Sequence, residues 1–427
     1  MSTPSSPAAA SAAAAVSCAV PRRVLPVIVL AQLLGTSPWF AVNAVMPDLQ
    51  AAYATRQGWP AAAVGTLSSA LQVGFVAGTL VFALLAVSDR FSARRVFLAC
   101  ALVAAFSTLA AAAMASSFSA LVVWRALTGF FLAGIYPVGM KIAAQWFPRG
   151  LGAALGWLVG ALVVGSASAH ALRALAAGGA ALPWQGVFIA VAVLCAAAGV
   201  AIMVWVPEPV SGAPGEASSG TASSGAAPRG PGLRFGALAS IWRDARVRAS
   251  AFGYFGHMWE LYTLWVLMPA ILATRLVDSV AVSWWAFAAL GAGALGCIVG
   301  GQLAARHGSA RVAAVQLAVS GACCLAAPWL LQAPLPVFLG ALLLWGITVV
   351  GDSPQFSALT ASNAPREAVG SVLTLTNSIG FAISAISIEI FVRAAATVPL
   401  AQVLPWLAVG PAIGLLALRP LLRARPG

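Results

Sequence analysis

The sequence predicts an all-α integral membrane protein of twelve transmembrane helices arranged as two pseudo-symmetric six-helix bundles. Three observations predict it. Hydrophobic residues make up 61% of the chain and charged residues only 8%, with a mean hydropathy of +0.95. A soluble domain carries about a quarter charged residues, so lipid must be the solvent for most of this chain. Apolar runs at 24–46, 61–87, 96–116, 119–143, 151–172, 184–206, 249–273, 283–304, 311–331, 335–359, 367–391 and 398–418 are each long enough to cross a bilayer as a helix. Finally, a basic phrase follows the second run, Ser88-Asp89-Arg90-Phe91-Ser92-Ala93-Arg94-Arg95-Val96. It returns in degraded form after the eighth, as Ala304-Ala305-Arg306-His307-Gly308-Ser309-Ala310-Arg311-Val312. Matching cation-rich loops imply a duplicated chain whose halves move against each other.

The elements follow in order. Residues 1–21 are rich in Ala, Ser and Pro, lack the basic start and apolar core of a signal peptide, and read as a disordered cytoplasmic tail. Six runs within 22–206 form the N-terminal bundle. Residues 207–248 form a cytoplasmic linker. Its first part, Pro207 to Pro231, has the Gly/Ser/Ala/Pro composition of a flexible tether. Its second part sets Arg234, Arg243, Arg246 and Arg248 among Leu238, Ile241, Trp242 and Val247, a basic amphipathic segment suited to an anionic membrane face. Residues 249–419 form the C-terminal bundle and 420–427 a cytoplasmic tail.

Charge sets the orientation. With the N-terminus in the cytoplasm, eighteen cations fall in cytoplasmic segments. Only Arg56, Arg173, Arg275 and Arg393 fall in the opposite loops, and Arg125 lies within a helix. That asymmetry places both termini inside a bacterial-type inner membrane. The net charge of +13 is scattered between apolar runs, so no contiguous stripe for nucleic acid exists. The six cysteines show no metal-ligand spacing and five lie in apolar runs. No metal site or cofactor is expected, and a monomer is. A phosphate-binding Gly-x-x-x-x-Gly-Lys-Ser/Thr motif is absent, so ATP is not the energy source. With ten acids spread thinly and three distant histidines, no enzymatic constellation is visible.

The loop after the second run resembles the signature of the major facilitator superfamily, Gly-x-x-x-Asp-Arg-x-Gly-Arg-Arg. Asp89, Arg90, Arg94 and Arg95 match it, while Leu85 and Ser92 replace the glycines. In the second half Gly301, Arg306, Gly308 and Arg311 match and Ala305 replaces the acid. A second echo, at nearly the same offset along the chain, links Tyr136-Pro137 and Trp146-Phe147-Pro148-Arg149 to Ser353-Pro354 and Asn363-Ala364-Pro365-Arg366. Arg125-x-x-x-Gly129 is similar to the family's fourth-helix motif, and the resemblance covers residues 22 to 423. The phrase from Pro137 through Lys141 to Pro148 is similar to one in anion and organic-acid symporters, and Tyr254 to Glu260 resembles nitrate/nitrite- and cyanate-type permeases. The resemblance implies secondary active transport of a small solute by alternating access, expected here as proton-coupled symport of a small anion or organic acid. Alternatives are drug or metabolite efflux by proton antiport, and a non-transporting membrane receptor or sensor.

Ionisable groups at membrane depth are the sharpest candidates, because a charge there costs several kcal/mol unless it meets a cavity or a partner. Arg125 in the fourth helix is a candidate anion contact. Glu260 lies near the middle of the seventh, with His257 one turn and Tyr254 two turns before it, a candidate proton relay. Asp352 sits in the Gly351-Asp352-Ser353-Pro354 phrase, where Gly and Pro loosen the helix toward a cavity. Asn43, Tyr136, Tyr262 and Asn377 supply hydrogen-bonding groups to the same expected cavity. Asp89, Arg90, Arg94, Arg95, Arg306 and Arg311 form the expected cytoplasmic gate, with Asp89 paired to Arg90 or Arg94 as a latch on one conformation.

The cation asymmetry makes a topological prediction. Alkaline phosphatase fused after Pro231 is inactive, and fused in the 47–60 loop it is active; the reverse pattern overturns the orientation.

Overall fold

The computed structural model describes residues 21–147, 151–177, 183–208, 233 and 236–423. The tail expected over 1–21 (all but Pro21), most of the 207–248 linker and the last four residues lie outside these.

Within a bilayer every backbone N–H and C=O must be satisfied without water, which leaves the helix as the solution for an open chain. All regular structure among the described residues is helical. The spans are α1 (Val24–Gly35 and Ala41–Gln57), α2 (Ala63–Leu84), α3 (Ala93–Ala113), α4 (Phe118–Leu132 and Tyr136–Trp146), α5 (Leu151–Ala177), α6 (Trp184–Trp205), α7 (Ala245–Ala273), α8 (Ser279–Gly291 and Gly293–His307), α9 (Ser309–Leu330), α10 (Leu335–Gly351 and Ser353–Asn363), α11 (Val369–Ala395) and α12 (Leu400–Arg423). Ten of these are long and apolar enough to cross a membrane unaided. The other two complete the twelve. A break shortens the apolar part of α1, and α7 carries Tyr254, His257, Glu260 and Tyr262 along its length. Twenty of the 29 residues of α7 are buried, so protein surrounds it on nearly every side.

Two boundaries differ from the sequence reading. The run 24–46 is not one straight helix, because Pro38 removes a ladder N–H and the chain turns through 36–40. Beyond the break the helix continues to Gln57, where Gly58 caps it at φ 64°, so the loop expected over 47–60 is only the turn between Gly58 and Ala62. The outward fusion therefore belongs just after Gly58.

The first six spans and the last six form two halves that meet along α2 against α11 and α5 against α8, with α1 facing α7. Inside each half, small residues bring backbones together. A methyl at Gly129 in α4 would overlap the Leu71 carbonyl of α2, and one at Gly346 in α10 would overlap the Ala289 carbonyl of α8. The spacing from Gly129 to Gly346 equals that from Tyr136 to Ser353 in the sequence echo, so the duplication is visible in the packing too. Gly129→Leu and Gly346→Leu each destabilise the protein by about 1–3 kcal/mol through overpacking, whereas Gly340→Leu, on an open lipid-facing position, does not. Thermal melts in detergent check this; equal melting of all three variants refutes it.

Candidate functional site

The site begins with the break in α1. Several carbonyls there find side-chain donors. Thr36 Oγ1 donates to the Gln32 carbonyl at 2.9 Å, and Ser37 Oγ to Leu34 at 2.7 Å and Val191 at 3.1 Å. Arg125 reaches across from α4 and donates to the carbonyls of Pro38 at 3.0 Å and Trp39 at 2.6 Å. Fixed in this way, the break aims Trp39 and Phe40 at the other half. Trp39 stacks on Tyr262 with centroids 5.8 Å apart, Phe75 meets Phe381 at 4.5 Å, and Phe40 meets the edge of Trp265 at 5.6 Å. Asn43 Nδ2 donates to the Val266 carbonyl at 2.8 Å. Farther along, Ser69 Oγ donates to Ala385 O at 2.9 Å and Thr66 Oγ1 to the Glu389 carboxylate at 3.2 Å. The halves are thereby sealed toward the face that carries Glu389.

On the other side of this aromatic seal, toward the face with the Asp89 loop, lies a cavity between the halves. It is lined by Tyr136 of α4, Val159 and Leu162 of α5, Tyr254 and Tyr262 of α7, Ser353 and Ser357 of α10, and Asn377 and Phe381 of α11, among others. Its free volume is about 40 Å³, room for one or two waters. Of the residues expected in a cavity, Tyr136, Tyr262 and Asn377 line this one, whereas Asn43 belongs to the seal.

The ionisable groups sit elsewhere than expected. Arg125 does not line the cavity. It is 1% exposed, and its two bonds to α1 make it a support for the break rather than an anion contact. His257 is not paired with Glu260. Its Nδ1 lies 2.8 Å from Oδ1 of Asp352, both side chains being 1% exposed. This pair stands directly behind the cavity wall, next to Ser353, with the Tyr254 ring 5.7 Å from the imidazole. His257 Nε2 and both carboxylate oxygens of Asp352 have no hydrogen-bond partner among the described residues, so the contact between the two side chains is one of charge and proximity.

Glu260 turns away into the interior of the second half. There its Oε1 accepts from Ser320 Oγ at 2.5 Å, Trp345 Nε1 at 2.7 Å and Cys324 Sγ at 3.1 Å. The expected placement of Glu260 at the cavity is therefore corrected. One turn of α7 is enough to direct His257 toward α10's break and Glu260 toward Ser320 and Cys324 of α9 and Trp345 of α10. Nothing in the sequence singled out Ser320, Trp345 or Cys324, since neutral donors in apolar runs carry no signal of their own.

The gate loop is also rearranged. Asp89 pairs with Lys141 of α4 at 2.5 Å, and Lys141 also donates to the Ser88 carbonyl. Arg90 and Arg94 are not its partners. Arg94 lies 3.7 Å from Glu208 and donates to the Val206 carbonyl, while the Ser92 hydroxyl donates to Glu208 at 2.5 Å. That hydroxyl and the nearby arginines hold the Glu208 carboxyl below its usual range. These contacts all join elements of the first half. Arg90, Arg95, Arg306 and Arg311 are exposed and form no ion pair among the described residues.

The chain matches the family model described as Major Facilitator Superfamily over residues 28–388. No curated protein matches it. Among solved structures it is similar to the crystal structure of the human organic anion transporter MFSD10 (TETRAN), with a TM-score of 0.69 and 18% identity, covering 93% of this chain and 99% of that one. At that identity the likeness concerns the fold. With a family match running over most of its length, the chain belongs to the Major Facilitator Superfamily and serves to move a solute across a membrane.

Proposed function

We propose that the protein is a proton-coupled secondary transporter that works by alternating access around the cavity between its halves, in a bacterial-type inner membrane with both termini cytoplasmic. The observation that carries this reading is the buried His257–Asp352 pair behind the cavity wall, with Nδ1 and Oδ1 2.8 Å apart. A carboxylate beside an imidazole at membrane depth offers a site for one proton, and a proton taken up there raises the net charge of the pair by one. A proton gained from one side and lost to the other then alters the charge beside the cavity as the halves rock. The eighteen-to-four distribution of cations supports the orientation.

An anion in the cavity needs a cation there, and Arg125, Lys141 and His257 are the cationic groups nearest to it in the sequence of the spans. Arg125 is committed to α1, Lys141 to Asp89, and His257 to Asp352. The anion reading loses that support, and proton coupling stands without it.

Asp352→Asn removes the proton-accepting partner. Once a thermal-shift screen has supplied a ligand, proteoliposomes carrying this variant lose proton-driven accumulation and keep ligand exchange. Glu260→Gln, enclosed by neutral donors, keeps both and melts at a lower temperature. Uncoupling by Glu260→Gln with Asp352→Asn unaffected would overturn the assignment. Asp89→Asn frees Lys141 and loosens the loop from α4, so transport falls several-fold at normal membrane abundance. An unchanged rate would leave that ion pair without a role in the cycle.

A further inference from the structure

The chain has four tyrosines, and three of them, Tyr136, Tyr254 and Tyr262, meet in the central cavity. Their hydroxyls make no hydrogen bond to any described residue. The same holds for the Ser353 hydroxyl and the Asn377 amide, whereas Ser357 Oγ turns back to the Ser353 carbonyl at 3.2 Å. Polar groups at this depth are nearly always bonded in proteins. Five neutral donor–acceptor groups around one cavity, contributed by α4, α7, α10 and α11, can exchange hydrogen bonds between water and a bound solute.

The same wall carries flat apolar faces. Tyr262 and Phe381 lie 5.3 Å apart, and Trp265 presents its edge to Tyr262 at 5.6 Å. These rings pack on one another, so a solute in the cavity meets them from one side, as a single apolar wall.

Charge is what the wall lacks. Among the described residues no Asp, Glu, Lys or Arg lines the cavity. The guanidinium of Arg125 and the ammonium of Lys141 are bonded within the first half, so rigid rocking of the halves leaves both bonds in place. His257 and Asp352 offset each other behind Tyr254. An anion or cation moving from water into this site loses hydration and finds no counter-charge, which costs several kcal/mol. An uncharged solute meets no such cost.

We infer that the solute carried in this cavity is an uncharged compound with several hydrogen-bond donors and acceptors and one apolar face, admitted as the halves part, since the cavity as it stands holds only one or two waters. The inference rests on the reading of the cavity as the transport site. The tyrosine hydroxyls, Ser353 and Asn377 bond the solute's polar edge while the wall of Tyr262, Phe381 and Trp265 meets its apolar side.

Three probes that share one ring test this on the full-length protein in detergent: nicotinamide (uncharged), nicotinate (anionic at neutral pH) and 1-methylnicotinamide (cationic), with uracil and cytosine as further uncharged rings. By calorimetric titration, at least one uncharged ring binds about tenfold or more tighter than both charged probes. Tyr136→Phe and Tyr262→Phe, which keep the ring and remove the hydroxyl, each weaken that binding by about 3- to 10-fold at wild-type melting temperature. Tyr53→Phe, stacked on Trp59 away from the cavity, leaves it unchanged. Tighter binding of nicotinate or 1-methylnicotinamide, no response to any uncharged ring, or wild-type affinity in both cavity variants would each overturn the inference. Proteoliposomes with an internal pH dye separate the two readings. Proton-linked uptake of a charged probe leaves coupled transport standing and removes the uncharged substrate. Counterflow of an uncharged ring with no proton movement does the reverse.

Discussion

The structure depends on how one broken helix is made tolerable inside a membrane. Hydrocarbon offers no hydrogen bonds, so a gap in the ladder of α1 needs its own donors. Thr36 and Ser37 supply some from the break itself, and Arg125 supplies two from α4. A guanidinium suits the task because it carries five donors in a rigid fork and accepts nothing in return. Its charge would be costly at this depth if left alone. The carbonyl dipoles of Pro38 and Trp39 meet it directly. Without the break, Trp39 and Phe40 would continue the line of α1. With it, they reach Tyr262, Phe381 and Trp265 and close one end of the cavity.

The distribution of strong and weak contacts follows from the same constraint. Asp89 with Lys141, Arg94 with Glu208, Arg173 with Asp48 and His257 with Asp352 each join elements of a single half. Between the halves the described contacts are aliphatic and aromatic packing and hydrogen bonds from Asn43, Thr66 and Ser69. An ion pair buried in the moving interface would leave two uncompensated charges in lipid each time it opened. A hydrogen bond of about 1 kcal/mol net and a ring contact of similar size can be exchanged repeatedly. Rigid halves joined by exchangeable contacts are what a rocking cycle requires.

The number and order of the spans were legible because membrane thickness imposes a length on every apolar run, and the duplicated loop showed where the halves divide. The breaks were only partly legible. Pro354 and Gly351 marked the one in α10, but Pro38 alone did not reveal that Arg125 would stabilise the one in α1. Partner choice was not legible at all. His257 and Glu260 are one helical turn apart and looked like a pair, yet they meet different residues: Glu260 bonds Ser320 and Cys324 of α9 and Trp345 of α10, and the partner of His257 lies three spans farther along the chain, at Asp352. The same holds for Asp89, whose near neighbours Arg90 and Arg94 looked sufficient while Lys141, two spans on, holds it. Sequence spacing constrains contacts along one helix. Contacts between helices depend on rotation about the helix axis, which near-uniform apolar runs do not encode.

The duplication shows what the two halves share and where they diverge. At the offset that pairs Tyr136 with Ser353, Gly129 corresponds to Gly346, and each sits on a carbonyl of the helix two spans earlier. Ile135, at the break of α4, corresponds to Asp352, at the break of α10, so that Tyr136 and Ser353 each stand just after a break. Both line the cavity, from symmetric positions. The scaffold is thus repeated, down to interrupted helices that bring a side chain to the midplane. The chemistry is not: His257 and Glu260 stand where the first half has Phe40 and Asn43, and Asp352 where it has Ile135. One half therefore holds the cavity's shape through apolar packing and the α1 break, while the other holds its buried acids. On the proposed reading, a proton on Asp352 would alter charge in only one half, while the half that faces it keeps its own charge constant, and that asymmetry is what would give proton exchange a conformational consequence.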